Sequence, residues 1–181
     1  MLDITTAGHT DGVTKSERYR ELAAELTGLI GDEKDVVANA ANACALIHMS
    51  LPALNWTGFY FLRGGKELVL GPFQGKPACI RIPVGRGVCG TAVEQRHAVR
   101  VDDVHAFPGH IACDVASQSE LVLPLIVGGV VVGVLDLDSP VLGRFDQDDQ
   151  TGLETLAAIF VAGCDWSILP VGWAVTPGSE L

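Results

Sequence analysis

Residues 119–138, SELVLPLIV-GG-VVVGVLDLD, constrain the fold more than any other stretch. Two runs rich in leucine and β-branched residues flank Gly128-Gly129, and a two-residue glycine joint between such runs is a hairpin signal. A hairpin of this length commits the chain to an antiparallel sheet. The strand period of two puts Val132, Val134, Asp136 and Asp138 on one face, and the turn lays Glu120 of the first strand beside them. Paired carboxylates cost energy unless a proton or a cation sits between them. The alternative is a strand end that runs out into solvent.

The rest of the chain extends this pattern. Tyr19, Leu22, Ala23, Leu26, Leu29 and Ile30 recur with helical spacing from Ser16, and Gly31-Asp32 reads as a stop and a fresh cap. A second helix carries Val36, Val37, Ala40, Ala43, Cys44 and Ile47 on its buried stripe. Short runs then follow, NWTGFYFLR, KELVLGPF after Gly64-Gly65, and ACIRIPV with Cys79 on a strand edge. GVCGTAVEQR reads as a short helix, HAVRVDD as a strand, and residues 104–118 as an irregular loop. The last helix presents Leu153, Leu156, Ala157, Phe160, Val161 and Cys164, with Asp146, Asp148 and Asp149 at its positive end. Helices at both ends of a run of hairpin-joined strands predict an α+β domain, an antiparallel sheet with its helices packed mainly on one face. The expected organisation is an extension over 1–16, one domain over 17–166 and a tail over 167–181.

With 181 residues, 48% of them hydrophobic, the chain can bury one core without disulfides or metal. A formal net charge of −10 argues against a phosphate-backbone partner and leaves a small ligand or a protein. Residues 1–16 lack a secretory pattern and no run of 18 apolar residues follows, so a soluble, cytoplasmic protein away from membranes is expected. No C-x-x-C, H-x-x-x-H or H-E-x-x-H occurs, and the gaps among Cys79, Cys89, Cys113, His97, His105 and His110 match no usual zinc spacing, so no resident metal is expected. The glycines of VGRGVCG suggest a ligand loop, weakly.

The five cysteines divide by context. Cys44 and Cys164 lie on apolar helical stripes, where a free thiol behaves as a small hydrophobe. Cys79, on a strand edge after Pro77, Cys89, between Gly87 and Gly90, and Cys113, in a polar loop, are expected to be reachable by solvent or by one another. At an ordinary pKa of about 8.5 only a few per cent of a thiol is ionised at neutral pH. His110 would lower the pKa of Cys113 and Asp114 would raise it, so reactivity and an incidental exposed thiol both stay open. On WTGFY, Trp56, Gly58 and Tyr60 share a face that serves either the core or the wall of a pocket for a methyl or thioether group.

The stretches NWTGFYFL, GPFQGKPACIRIPVGRGVCGTA, VHAFPGHIACDVASQSELVLPL and GVLDLDSP closely resemble the free methionine-(R)-sulfoxide reductases, single-domain enzymes of GAF fold. The resemblance runs from about Arg18 to Asp165 and covers several long motifs in order. It implies reduction of free L-methionine (R)-sulfoxide, with Cys113 as nucleophile and Cys79 as the cysteine that closes a disulfide with it. Cys89 is a further family feature, and the roles of the three vary among members. The substrate pocket is implied at Trp56, Tyr60, Glu120, Asp136 and Asp138, with Asp103 as a weaker member. Also implied are a sulfenic acid intermediate, recycling by thioredoxin, a homodimer and no cofactor. The competing class is a non-catalytic GAF module that senses a small ligand or thiol oxidation.

Overall fold

The computed structural model describes residues 14–109 and 115–168. Helix α1, Lys15–Ile30, starts from a capping box in which the Thr14 side chain accepts from the Glu17 backbone N–H and Glu17 returns the bond. Helix α2, Val36–Ser50, is capped by Asp35, whose carboxylate accepts from the Val37 and Ala38 N–H groups. Asp32 is therefore not the cap that the sequence suggests. Starting the helix later also turns Val37 outward, where it is 46% exposed, while Val36 takes the buried stripe.

Six strands follow: β1 Trp56–Arg63, β2 Glu67–Gly75, β3 Arg81–Pro83, β4 Val99–Val101, β5 Ser119–Val127 and β6 Val130–Ser139. Helix α3, Gly87–Gln95, lies between β3 and β4, and α4, Gln147–Gly163, follows β6. The sheet order is β3-β2-β1-β6-β5-β4, antiparallel throughout. Cys79 precedes β3 rather than lying on it, since the chain through 76–80 is irregular around Pro77, which has no N–H to give a ladder.

Phe59 and Phe61 of β1, Leu121, Leu123 and Leu125 of β5, and Leu135 and Leu137 of β6 pack with α1, α2 and α4. Trp56, Tyr60, Val122 and Val134 pack on the other face with Val88, Cys89, Ala92 and Val93 of α3. Among the described residues, three helices thus cover one face and one short helix the other, an α+β architecture. Burial on both faces is why β1 reads as a continuous apolar run rather than an alternating one.

Alternation also breaks within β6. The β5–β6 register shifts between Leu125 and Ile126, leaving one extra residue in β6, so Val132 joins the helical core while Val131 and Val134 take the α3 side. The shared face predicted for Val132 and the two acids holds only from Val134 onward. Among the described residues, no helix is long and apolar enough to cross a membrane.

Candidate active site

The site lies at the open end of the β5–β6 hairpin, on the α3 face. Glu120 pairs with Asp138 across β5–β6, and Asp138 pairs with Trp56 across β6–β1. Two rungs inward, on the same face, Val122, Asp136 and Gly58 lie side by side. The strand period therefore delivers Glu120, Asp136, Asp138 and Trp56 to one patch. Asp136 is 5% exposed and Glu120 6%, which excludes the solvent-facing strand end. Asp138 is half-buried at the edge.

Over this patch sits the first turn of α3. Its approach depends on Gly90, where a Cβ would come within 2.4 Å of the Pro83 carbonyl oxygen, while the Gly90 carbonyl accepts from the Gly85 N–H at 2.9 Å. The glycines of VGRGVCG thus seat the helix close to the chain before it. The close seat pushes Cys89 into the patch. Its thiol donates to Asp136 Oδ2 at 3.2 Å and lies 3.9 Å from Glu120 Oε1. Cys89 is 3% exposed, so it is not the solvent-reachable thiol that its neighbouring glycines suggest.

Burial dominates the electrostatics. Loss of water raises Cys89 well above an ordinary thiol, and the charges of Asp136 and Glu120 push it further, so it stands as a neutral donor. Glu120 is raised well above the carboxylate range, first by burial and then by Asp136 and Asp138. Burial lifts Asp136 to about 7 against the pull of its hydrogen bonds with Cys89 and Glu120. The Glu120–Asp136 pair therefore retains a proton at neutral pH, held on the Glu120 side. Asp136 Oδ1 is buried and receives no N–H or O–H donor from the described residues. A proton on the facing carboxyl group or an incoming cation would satisfy it.

The aromatic wall is built from β1. Trp56 stacks on Tyr60 at 5.8 Å between ring centroids and on Phe73 of β2 at 5.4 Å. Phe73 is a wall residue that sequence reasoning missed. Its signal lay in the Gly58–Phe73 register, which no single-strand pattern reveals. Trp56 Nε1 donates to the Lys76 carbonyl at 3.1 Å, and the Tyr60 hydroxyl donates to the Cys79 carbonyl at 3.1 Å. The irregular segment bearing Cys79 is thereby fastened to the wall of the site. Asp103 is turned to a local task, accepting from the His105 N–H at the start of the 3-10 turn Val104–Ala106.

Cys113, with His110 and Asp114, lies outside the described residues. The stems of its loop are fixed: the Val104 N–H donates to the Gln118 carbonyl, and the Gln118 N–H donates to the Ser139 carbonyl at 2.7 Å. The loop thus returns to the sheet two residues before Glu120. Cys44 and Cys164 pack with the helical core, as their apolar stripes predict.

The GAF domain family matches residues 32–162. The free methionine-R-sulfoxide reductase of Escherichia coli (strain K12) is 53% identical over 146 residues, covering 81% of this chain and 88% of the relative. The chain belongs to the free methionine-R-sulfoxide reductases of the GAF family. Protein YtsP of Bacillus subtilis (strain 168) is 57% identical over 144 residues, covering 79% of this chain and 88% of its own. The solved free methionine-R-sulfoxide reductase of Neisseria meningitidis, in complex with its substrate, superposes with a TM-score of 0.81 at 44% identity, covering 88% of this chain and 95% of that one.

Proposed function

We propose that this protein reduces free L-methionine (R)-sulfoxide to L-methionine, with Cys113 as nucleophile, Cys79 as resolving cysteine and Glu120 as proton donor. The observation that carries this reading is the buried Glu120–Asp136 pair beside an aromatic wall. A free amino acid brings an ammonium group that a residue within a protein lacks, and two acids with an unsatisfied oxygen select for it. Losing that cation costs about 3–5 kcal/mol by the usual penalty for breaking a buried ion pair, which is roughly one hundredfold to several thousandfold in affinity. Asp136 and Asp138 hold the ammonium and polarise the sulfoxide. Trp56 and Tyr60 pack the methyl group and side-chain carbons.

Oxygen leaves sulfur poorly as an anion, so a proton must reach it. The Cys113 thiolate attacks the sulfoxide sulfur, Glu120 protonates the oxygen, and methionine departs as Cys113 becomes a sulfenic acid. The Cys79 thiol then attacks that sulfenic sulfur, forming a disulfide and releasing water. Two thiols of a reductant such as thioredoxin restore the pair by exchange. Cys79 is disulfide-bonded whereas Cys44, Cys89 and Cys164 are free thiols, which supports Cys79 as the resolving cysteine. A neutral, buried Cys89 has the wrong ionisation for the attacking thiol, which supports Cys113 in that role. We read the protein as a cytoplasmic homodimer in which Asp103 shapes the pocket rim through the Val104–Ala106 turn. The deciding experiment is methionine formation from resolved R and S sulfoxides with a thioredoxin system. Binding without product would favour a sensor.

Two further results are expected. Asp136 titrates near 7 in the fold against an ordinary 3.8, and Glu120 is shifted the same way, so the fold holds a proton that the unfolded chain has lost. The stability this confers is full below about pH 4 and is lost as pH rises through about 7. Proton donation fails only as Glu120 itself ionises, which burial and the neighbouring acids delay to well above the ordinary carboxylate range. kcat/KM should therefore persist at neutral pH, and activity lost as pH rises through about 4 to 5, where an ordinary glutamic acid ionises, would exclude Glu120 as the donor. At Gly58 a Cβ would meet Trp56 Cη2 at 2.2 Å and Phe73 Cβ at 2.6 Å. Gly58→Ala should therefore displace the Trp56 ring and raise KM about tenfold, a loss of roughly 1.4 kcal/mol in binding. An unchanged KM would remove Trp56 from the pocket wall.

A further inference from the structure

We infer that Cys89, Glu120 and Asp136 form a binding site for a thiophilic divalent cation, Zn2+ in the first place, and that the bound ion closes the active site to substrate. The three ligand atoms come from α3, β5 and β6 and lie within 4.8 Å of one another, each residue buried. In a tetrahedral zinc site, bonds of about 2.3 Å to sulfur and 2.1 Å to oxygen place the sulfur about 3.6 Å from each oxygen. The observed separations of 3.2 Å and 3.9 Å bracket that value. The second observation is Asp136 Oδ1, a buried oxygen without a donor. Zinc spacing in the sequence gave no sign of this trio because its members are 31 and 16 residues apart on three different elements.

Charge balance favours the ion as well. A thiolate and two carboxylates carry three negative charges, and a divalent ion leaves a residual of one, far less than the bare trio would suffer. Binding displaces the Cys89 thiol proton and the proton held by the carboxyl pair, so affinity should increase with pH. One coordination position stays open to water. An ion seated here occupies the carboxyl groups that we assign to the ammonium and the sulfoxide oxygen, so metal and substrate exclude each other. The metal site itself does not depend on that assignment.

The test uses the full chain carrying Cys79→Ser and Cys113→Ser, which removes the other active-site thiols, with Cd2+ as a spectroscopic stand-in for Zn2+ and a phosphine as reductant. One equivalent of Cd2+ should produce a thiolate-to-metal charge-transfer band in the ultraviolet, and Zn2+ should displace it. Adding Cys89→Ser should abolish the band, and adding Asp136→Asn should weaken binding at least tenfold, with circular dichroism confirming the fold of each variant. A band that survives Cys89→Ser, or no band in the parent protein, overturns the inference. Free methionine sulfoxide should raise the apparent Kd for Cd2+. Cys89-dependent binding that ignores methionine sulfoxide would uphold the metal site and overturn its closure of the active site to substrate.

Discussion

Cys113→Ser is expected to remove turnover, by about three orders of magnitude or more, because a hydroxyl at an ordinary pKa neither attacks sulfur nor accepts oxygen from it. Cys79→Ser separates the two half-reactions. It should still yield one equivalent of methionine per chain, leave a sulfenic acid that a carbon nucleophile can trap, and fail to cycle with thioredoxin. Single-turnover product analysis measures both. If the two variants lose the first round equally, the division of labour between nucleophile and resolving cysteine is wrong. If Cys113→Ser keeps turnover while Cys89→Ser loses it, the buried thiol is the nucleophile, which would require the carboxyl pair to take up its proton.

The largest effect on stability is expected away from the site, at Asp149. Its carboxylate is 1% exposed and is satisfied on both oxygens. Tyr19 Oη donates to Oδ1 at 2.9 Å. Arg144 donates to Oδ2 at 2.9 Å, Lys15 at 2.7 Å and the Asp146 backbone N–H at 3.0 Å. One side chain thus joins α1, the loop after β6 and the capping box of α4. The Lys15 arm is half exposed and contributes little. Asp149→Ala leaves a buried hydroxyl and a mostly buried guanidinium without their acceptor, which should cost about 3–5 kcal/mol. For a domain of this size that lowers Tm by about 10 °C. A thermal melt measures it, and a drop under about 2 °C would show that water replaces the carboxylate at little cost.

The same contrast between local and distant information explains what could be read in advance. The hairpin at Gly128-Gly129, the apolar stripes of the long helices and the α+β arrangement follow from periods of 2 and 3.6, which are properties of neighbouring residues. Asp136 and Asp138 on one side of β6 were legible for that reason, and Glu120 followed from the hairpin. The bulge that turns Val132 away was not legible, because an extra residue in one strand is defined only by its partner. Phe73 on Trp56 and Cys89 on Asp136 were hidden for a related reason, since each contact needs the crossing of elements far apart in sequence. The misplaced cap at Asp32 shows the limit of local signals themselves. Asp32 and Asp35 both suit the position, and only the geometry of the connection after Gly31 selects between them.

The pairing of Glu120 with Asp138 across a bulged hairpin bears on how this gene can change over time. Side chains alternate sides along each strand, so deletion of the single extra residue in β6 would rotate part of the hairpin by half a turn relative to the rest. Lineages should therefore tolerate substitutions along β5 and β6 far more readily than a gain or loss of one codon. Length variation among relatives is expected to gather in the loops and at the chain ends, leaving the interval from Glu120 to Asp138 constant.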